Sequence, residues 1–593
     1  MIQSLNSTLL SLSLFLILWS FTGCSRPVEV ERSTYPLPED VDITEATPGK
    51  YGDVFVLALP QEPNSFNFLI PTNDGYTSYI LGGLFNGLVD YDPIKESHVP
   101  ALARSWEVSE DKCAYTFHLR RGVKWSDGEP FTADDVIFTF DAIFDPRYGN
   151  RYAQQYTIAG EPIKYEKIDD YTVRFTTADI YAPFINDIGW AKILPRHKLQ
   201  IAFEDGSLQK QWSTQTAIDH PEEIVGTGMF RIFSYRPGER LILSPNPHYW
   251  RADQIGQRLP YVDFLIYKFV TDINTQNVLF ATGQIDATAV SATDMIWVKR
   301  GAQKYDFTVH ERGPESGIGF IWFNQNPGQN DNGIPYVAPY KLAWFQNKLF
   351  RQAIAYGFDR EGIIQAVYFG RAEPLHSIIS PANRKWHNNE TPRYPYDPKK
   401  ARALLKKAGF TYRSDGRLED VSGNLVEFEL LASEGRQKTT ASATTFVENM
   451  KALGIAVKLV HIDFGTLVEK IDSTYRYEAA MMGFSGGGDP SGGKAIYRSD
   501  GHLHIWHPKQ KMPATPWEAR IDEIMDAQER TLDEAERIAL INEMQVIFAE
   551  QLPLILQVTA TTYSGIKNKW QNVKIAPMGS ILWNLDELWS EEG

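Results

Sequence analysis

The sequence predicts a mixed α/β protein that folds into at least two lobes. Its 593 residues exceed the roughly 250 to 300 at which a single hydrophobic core stops growing. Residues 53–60 (DVFVLALP) have the short, apolar pattern of a strand, which predicts a strand near the start of the folded part. Strand patterns of this kind and helix patterns are interspersed along the chain, as is typical of the α/β class.

Within residues 101–140, turn, strand and helix signals follow one another in a compatible order. Alternation over residues 115–120 predicts a half-buried strand. Thr132 is expected to cap the next helix, with Asp134 and Asp135 in its first turn, where the helix dipole favours negative charge. No catalytic group is needed to explain the pattern, so this stretch is interpreted as scaffold.

Two helix starts are predicted in the second half of the chain. Asp397 can cap a helix that has Pro398 at its first position, and Gly409 follows the end of that pattern. Thr531 and Glu534 have the spacing of a capping box, which predicts that Thr531 caps the last long helix.

The N-terminus predicts a lipoprotein signal. An apolar run over residues 9–21 has the length of a secretory signal and is short for a membrane span. Cys24 follows a small residue, so residues 1–23 are predicted to be a signal peptide that is cleaved before a lipid-modified Cys24. A plain signal peptide and a retained anchor remain the alternatives. Residues 24–50, with several prolines and acids, are expected to be a flexible tether.

The net charge and the cysteine content limit the classes of molecule that this protein is expected to bind. A formal net charge of −15 argues against a surface for nucleic acid or anionic lipid, since both require clustered Lys and Arg. If Cys24 is acylated, Cys113 is the remaining cysteine and no disulfide can form. Small-molecule or protein partners are therefore favoured.

Motifs spread over nearly the whole chain occur in a fixed order. They are residues 58–67 (ALPQEPNSFN), 84–93 (LFNGLVDYDP), 101–140, 226–250 (GTGMFRIFSYRPGERLILSPNPHYW), 280–288 (FATGQIDAT), 349–364 (LFRQAIAYGFDREGII), 397–410 (DPKKARALLKKAGF) and 551–557 (QLPLILQ). Together they resemble family 5 of the bacterial extracellular solute-binding proteins, the oligopeptide- and dipeptide-binding components of ABC importers. Met229 departs from the proline usual in the family's GTGPY segment.

The resemblance implies a two-lobed periplasmic-binding-protein fold of the cluster C type, with an extra subdomain in lobe one and two hinge crossings. We place the crossings near residues 308–325 and 551–560. The expected divisions are lobe one over 51–312 with the inserted subdomain at about 78–215, lobe two over 313–552, and a return to lobe one over 553–593.

The resemblance also implies a function. A lipoprotein in the periplasm or at the cell surface would capture a peptide or peptide-like ligand by lobe closure and deliver it, as a monomer, to an ABC permease and ATPase complex. An oligosaccharide or another non-peptide solute is the alternative ligand. A secreted hydrolase is the alternative from another functional class.

The resemblance also implies that ligand contacts lie in three loops and at the first crossing. The candidate residues are Asn64, Phe66, Asn73, Tyr76, Phe320, Trp322, Asn324, Phe484, Ser485 and Asp489. Aromatic residues make up 13% of the chain, and part of that number is expected to line the cleft.

The loop at 483–489 departs from its peptide-binding relatives, which place an Asp shortly after a Trp to pair with the ligand's N-terminal ammonium. In this chain Phe484 replaces the Trp, and glycine fills the Asp position unless one residue is gapped, which would bring Asp489 forward. The alternative for Asp489 is a turn residue before Pro490.

Three features of the sequence are also found in enzymes. Residues 488–494 match G-x-x-x-x-G-K, but Ala495 stands where a P-loop needs Ser or Thr. His502, His504 and His507 lack the helical i, i+4 spacing of a zinc pair. The acids are numerous enough for a glycosidase pair, but spacing in sequence cannot fix their separation in space. We therefore predict no catalytic residue, no cofactor and no metal.

Overall fold

The structure is a computed structural model, and it describes residues 32–70, 75–149, 152–435 and 437–592. The predicted signal peptide, Cys24 and Asn73 lie outside the described residues.

The first part of the chain contains most of the strands. Its elements are β1 (Asp42–Ile43), β2 (Val54–Leu59), α1 (Gly75–Leu84), β3 (Val89–Asp92), β4 (Ser97–Pro100), β5 (Ala103–Val108), β6 (Ala114–Leu119), α2 (Ala133–Phe144), α3 (Tyr152–Gln155), β7 (Thr157–Ile158), β8 (Glu161–Pro162), β9 (Lys164–Asp169), β10 (Thr172–Thr176), α4 (Phe184–Trp190), α5 (Arg196–Glu204), α6 (Thr214–Asp219), β11 (Phe230–Arg236), β12 (Arg240–Pro245), β13 (Arg251–Ala252), β14 (Phe264–Phe269), α7 (Ile273–Ala281), β15 (Ala287–Val290), α8 (Met295–Lys299), α9 (Ala302–Tyr305) and β16 (Phe307–Pro314).

The remaining elements are richer in helix. They are β17 (Ile318–Phe323), α10 (Pro339–Gln346), α11 (Lys348–Gly357), α12 (Arg360–Tyr368), β18 (Ala372–Pro374), α13 (Pro398–Lys407), β19 (Thr411–Tyr412), β20 (Leu418–Glu419), β21 (Glu427–Ser433), α14 (Gln437–Ala452), β22 (Ala456–Ile462), α15 (Phe464–Glu469), β23 (Ala479–Phe484), α16 (Lys494–Tyr497), α17 (Pro516–Arg530), α18 (Glu534–Gln551), β24 (Ile555–Leu556), β25 (Val558–Lys567), β26 (Trp570–Gln571) and β27 (Trp589–Ser590).

Two large sheets organise these elements into two lobes. The sheet of lobe one has the order β11-β12-β14-β2-β15-β25-β16, with β18 also paired to β25. The sheet of lobe two has the order β22-β21-β23-β17-β24. Because each sheet buries apolar side chains against its own helices, the chain has a separate core in each lobe. The predicted two-lobed α/β fold is confirmed.

An inserted subdomain precedes β11 in sequence. Its sheet is antiparallel, with the order β5-β6-β10-β9. Alternate residues of β6 are buried, as the alternation over residues 115–120 predicted. Thr132 and Asp135 form a reciprocal capping box at the start of α2, in which the Thr132 side chain accepts from a backbone N–H and the Asp135 side chain accepts from the Thr132 N–H. The predicted cap is therefore confirmed.

Of the two helix caps predicted in the second half of the chain, one is confirmed and one is wrong. Asp397 caps α13 by accepting from the Lys400 N–H at 2.9 Å, as predicted. Thr531 does not cap α18, because it ends α17 instead. Asp533 is the cap of α18 and accepts from the Glu536 N–H at 2.9 Å.

The predicted tether is wrong over its described part. Residues 32–50 pack on lobe one, where β1 pairs in parallel with β13. Arg32 donates to the Pro260 carbonyl at 3.2 Å, and the Thr44 side chain donates to Glu587. Polar composition predicted a solvated segment, but backbone pairing and these long-range hydrogen bonds fix it to the lobe. Among the helices of the described ranges, none has both the length and the apolar character needed to cross a membrane.

Candidate ligand cleft between the lobes

Two adjacent crossings connect the lobes. The chain leaves the first sheet after β16 and enters the second at β17, and it returns between β24 and β25. The Glu315 N–H donates to the Ala560 carbonyl at 2.9 Å, and the Gln557 N–H donates to the Gly319 carbonyl at 2.9 Å. Because the two crossings are hydrogen-bonded to each other, they form one narrow hinge between the sheets.

A cavity of about 680 Å³ lies beside this hinge. Its volume falls within the range of pockets that enclose small ligands. Its walls include residues 314–319 of the first crossing, Ser433, Lys438 and Ser442 near the start of α14, residues 481–485 at the end of β23, Gln557 of the second crossing, and residues 577–579 near the C-terminus. Both lobes and both crossings therefore contribute to one cavity.

Two polar side chains in the cavity wall make no hydrogen bond within the described residues. Ser442 is 3% exposed and Gln557 is 9% exposed. Their polar atoms are not among the fully enclosed atoms that lack a partner, so these atoms are open to the cavity. The Ser442 hydroxyl and the Gln557 amide are thus available to a ligand that enters the cavity.

The cavity also carries positive charge. Lys438 lies in the first turn of α14, where the helix dipole favours anions, and forms no salt bridge within the described part of the chain. Its Nζ is 5.6 Å from the centre of the Tyr368 ring. Arg312 donates to the Ala576 and Gly579 carbonyls at 2.9 and 2.7 Å. Burial raises the pKa of Glu315, with Lys438 acting in the opposite direction.

Apolar side chains form the rest of the wall. Met482 and Phe484 come from one face of the end of β23, and Met578 comes from the C-terminal loop, whereas the Met481 side chain is buried in the core of lobe two. Methionine is unbranched and fits apolar groups of varied shape. Together with Ser442, Gln557 and Lys438, which lie in the same cavity, these side chains can surround a ligand that is apolar along its length and anionic at one end.

The glycines of the 483–489 loop allow it to approach the first crossing. A Cβ on Gly486 would lie 1.9 Å from the Ser316 carbonyl oxygen, and one on Gly483 would lie 2.7 Å from the Ile318 carbonyl oxygen. Any larger residue would force the backbones apart. The loop consequently places Phe484 and Ser485, two of the predicted site residues, at the cavity wall.

Asp489 lies at a second, smaller pocket of about 170 Å³ between the inserted subdomain and lobe two. Its two carboxylate oxygens accept from the Arg537 guanidinium at 2.6 and 2.8 Å, and one also accepts from the Ser491 N–H at 2.9 Å. The Arg537 guanidinium in turn covers the Trp386 ring, 4.9 Å from its centre. Asp489 is therefore committed to a bidentate ion pair, and this geometry does not favour the amine clamp considered for it.

Four predicted ligand residues are corrected by the structure, because their side chains lie in the cores. Phe66 is buried in lobe one. Phe320 and Trp322 belong to β17 and are fully buried, and the Asn324 amide donates to the Tyr475 and Tyr477 carbonyls at 2.9 and 3.0 Å. The physical reason is that β17 is an interior strand whose two faces are both covered by side chains.

The other predicted residues of lobe one lie at its surface. Asn64 and Tyr76 are exposed on either side of the segment that contains Asn73. Neither lines the cavity beside the hinge. Their role in binding stays a prediction.

Sequence reasoning missed Lys438, Ser442 and Gln557. Lys438 and Ser442 are four residues apart on α14, so they share one face of the helix. Gln557 is a polar residue in the otherwise apolar run LPLILQV. That interruption is the one signal that could have identified it.

The patterns weighed as enzyme sites have structural explanations. Lys494, the lysine of the P-loop-like pattern, pairs with Glu529 at 2.7 Å. His504 is 1% exposed and contacts Glu518 at 3.3 Å beneath the Trp506 ring. In the portion of the chain that the structure describes, no three His, Cys, Asp or Glu side chains are grouped as metal ligands.

Comparisons with known proteins agree with this architecture. Among sequences, the chain is 28% identical over 497 residues to a probable ABC transporter-binding protein of Deinococcus radiodurans, covering 80% of this chain and 82% of the relative. It is 27% identical over 519 residues to di/tripeptide-binding protein 1 of Pseudomonas aeruginosa, covering 84% and 87%. It is also 28% identical over 437 residues to a periplasmic alpha-galactoside-binding protein of Rhizobium meliloti, covering 70% and 62%.

Solved structures share the fold. The substrate-binding protein CtaP of Listeria monocytogenes superposes with a TM-score of 0.72 at 22% identity, covering 91% of this chain and 100% of that one. The oligopeptide-binding protein AppA of Bacillus subtilis, solved with a nonapeptide, gives a TM-score of 0.67 at 24% identity, covering 92% and 100%. The family model for the middle region of bacterial extracellular solute-binding proteins, family 5, matches residues 97–502. With its two lobes, its hinge and a family match over more than half its length, the chain belongs to family 5 of the bacterial extracellular solute-binding proteins.

Proposed function

We propose that this protein is the solute-binding component of an ABC importer, and that it binds a short peptide or peptide-like solute with a free carboxylate in the cavity beside the hinge. The observation that carries the proposal is the pair of polar groups on Ser442 and Gln557 that have no partner among the described residues and line the same cavity as Lys438. A ligand carboxylate at the start of α14 would satisfy these donors and complement the helix dipole. Phe484 and the methionines would contact its apolar part.

The proposal covers the whole transport role. A monomer, anchored by a lipid on Cys24 at the outer face of the membrane, would hold the ligand between closed lobes and release it to the permease. It would return the ligand chemically unchanged, since the cavity contains binding groups and the enzyme-like patterns have structural roles. We propose Ser485, Asn64, Asn73 and Tyr76 as further contacts when the lobes close over the ligand.

An oligosaccharide is the second candidate. The specific observation in its favour is that Asp489 pairs with Arg537, which removes the group expected to recognise a peptide amine. The similarity to an alpha-galactoside-binding protein also supports it. Under this alternative the cavity would show no preference for an anionic ligand.

The decisive experiment compares pooled tripeptides that have free carboxyl termini with the same peptides as C-terminal amides. Lys438→Met should weaken binding of the acids about 10- to 100-fold and leave the amides nearly unaffected, because only the acids can form a charge-assisted hydrogen bond. Lys451→Met is the matched control, since Lys451 lies on the same helix with its side chain 78% exposed.

Native mass spectrometry provides the readout and separates the alternatives. Equal loss for acids and amides would contradict the carboxylate assignment. Binding of oligosaccharides with no binding of either peptide pool would favour the second candidate. Chemical conversion of a bound compound would contradict the transport role.

A further inference from the structure

The inserted subdomain and lobe two are in contact at a second place besides the hinge, which is called the rim of the cleft below. Glu96 lies in the turn between β3 and β4 of the inserted subdomain, and its carboxylate reaches lobe two. One oxygen accepts from Arg384 Nε at 2.7 Å, and the other accepts from the backbone N–H of Lys385 at 3.0 Å. The Glu96 side chain is 17% exposed in this position, and that of Arg384 is 58% exposed. This contact is specific, because one carboxylate receives both a guanidinium and a main-chain donor.

The β3–β4 turn presents Glu96 in a fixed conformation. The Asp92 carboxylate accepts from the N–H groups of Ile94 and Lys95 at 2.8 and 3.0 Å, which closes the turn. Glu96 itself has φ of 51°, in the left-handed region that residues with a Cβ rarely adopt. The turn is thus organised within the subdomain, independently of lobe two.

The loop that receives Glu96 also contacts the 483–489 loop, which is called the ligand loop below, and the hinge. This loop, residues 380–387, is called the coupling loop below. The Asn383 amide donates to the Gly487 and Gly488 carbonyls at 3.0 and 2.8 Å, and Asn383 is buried. The Ser380 hydroxyl donates to the Glu315 carbonyl in the first crossing. One short segment therefore connects the rim contact, the 483–489 loop and the hinge.

The other rim contacts are of a different kind. Asp179 and Arg530 form an ion pair at 2.7 Å with side chains 37% and 62% exposed, and exposed pairs of this sort contribute little. The Ala182 N–H donates to the Glu529 carbonyl at 2.6 Å, which involves no side chain. Neither contact reaches the coupling loop.

We propose that Glu96 is a closure latch that holds the lobes together without ligand, and that Asn383 is the positioning residue that couples this latch to the ligand loop. Movement of Gly487 and Gly488 on ligand binding would be transmitted through Asn383 to Arg384 and Lys385, the two donors that hold Glu96. The inference extends the proposed function by identifying what sets the balance between open and closed lobes.

The test measures the open and closed populations of the ligand-free protein. Fluorescent labels are attached at Ile201→Cys in the subdomain and Val421→Cys in lobe two, two positions that are 78% and 86% exposed, in a chain whose two native cysteines are replaced by serine. Single-molecule energy transfer then gives the ratio of closed to open molecules. Glu96→Gln should lower this ratio about tenfold, because a neutral amide accepts more weakly and places an NH₂ against one donor.

Glu107→Gln is the matched control, since it makes the same change on the same subdomain at a side chain that is 77% exposed. It should leave the ratio unchanged. A wild-type protein that is as open as Glu96→Gln, or a Glu107→Gln effect of equal size, would overturn the latch. Because no ligand is added, a failed latch is distinguishable from a failed ligand assignment.

The role of Asn383 is tested by a double-mutant cycle. Asn383→Ala alone should also lower the closed ratio, since it frees the coupling loop from Gly487 and Gly488. If the two residues act through one loop, the double variant should lower the ratio by clearly less than the product of the two single effects. A double variant that equals that product would show independent action and overturn the coupling. Circular dichroism of each variant checks that the fold is retained.

Discussion

At the scale of single residues, Gln557 combines two demands on one side chain. It belongs to the second crossing, so it must fit the hinge, and its amide faces the cavity without a partner in the described structure. An amide that makes no hydrogen bond to other protein groups contributes little to the stability of the folded protein. We infer that the amide at this position serves ligand binding more than stability.

Gln557→Leu should therefore separate binding from stability. The free energy of unfolding should stay the same or rise, because an amide with no partner among the described residues is replaced by an apolar group of similar size, while affinity for the tripeptide acids should fall. Gln545→Leu is the control. Its amide donates to the Trp386 carbonyl at 2.8 Å and accepts from the Asn388 N–H at 2.9 Å, so its loss should destabilise the protein by about 1 to 3 kcal/mol. Denaturant unfolding measures both values, and a Gln557→Leu loss as large as that of Gln545→Leu would contradict the assignment.

The site residues were predicted less well than the fold. Phe484 and Ser485 line the cavity, and the sequence pointed to them because a glycine-rich loop after a strand is visible in it. Phe320 and Trp322 were misplaced, since an apolar strand gives no sign of which face is free, and here both faces are covered. Lys438 and Ser442 look like ordinary surface residues of a helix, and only the fold brings them to the hinge.

At the scale of elements, helix starts were predicted correctly where the local sequence offered a single residue as the cap. Thr132 and Asp397 were recognised because a cap, a first-turn acid or proline, and an apolar face occurred together. Thr531 was misassigned because α17 and α18 are separated by so few residues that Thr531 and Asp533 are both plausible caps by spacing. The structure distinguishes them by the backbone N–H that each side chain reaches.

The correction at α18 can be tested directly. Asp533→Ala should destabilise the protein by about 1 kcal/mol, since it removes the acceptor for the Glu536 N–H and a negative charge at the helix start. Thr531→Ala should destabilise the protein less than Asp533→Ala, because the Thr531 hydroxyl only donates back to the Ala527 carbonyl. Thermal unfolding of the two variants gives the comparison. The reverse order would restore Thr531 as the cap.

At the scale of the whole molecule, the order of motifs along the chain was sufficient to predict two lobes. Several motifs in a fixed order along the chain strongly limit the possible topologies. A single motif says much less about its own local geometry. Composition was a poorer guide, since the proline-rich segment before Tyr51 was predicted to be a solvated tether and its described part pairs with β13. Backbone pairing over a long sequence separation leaves no local pattern.

The proposed lipid anchor makes a prediction at this scale. Cys24→Ser should release the protein from membranes into the soluble fraction, because a single acylated cysteine would be its attachment. Cys113→Ser, at a half-buried thiol in the inserted subdomain, should leave the distribution unchanged. Fractionation with immunoblotting measures both. A Cys24→Ser protein that stays with the membrane would indicate a retained apolar anchor instead.

The packing of residues 32–50 on lobe one limits how far the protein could extend from such an anchor. From Cys24 to Arg32 the chain has eight residue steps, which reach at most about 29 Å when fully extended. Arg32, where the described chain meets lobe one, would then stay within that distance of the lipid surface, while lobe two moves about the hinge. Delivery would proceed by pivoting above a permease in the same membrane, with no need for the binding protein to diffuse through the surrounding fluid.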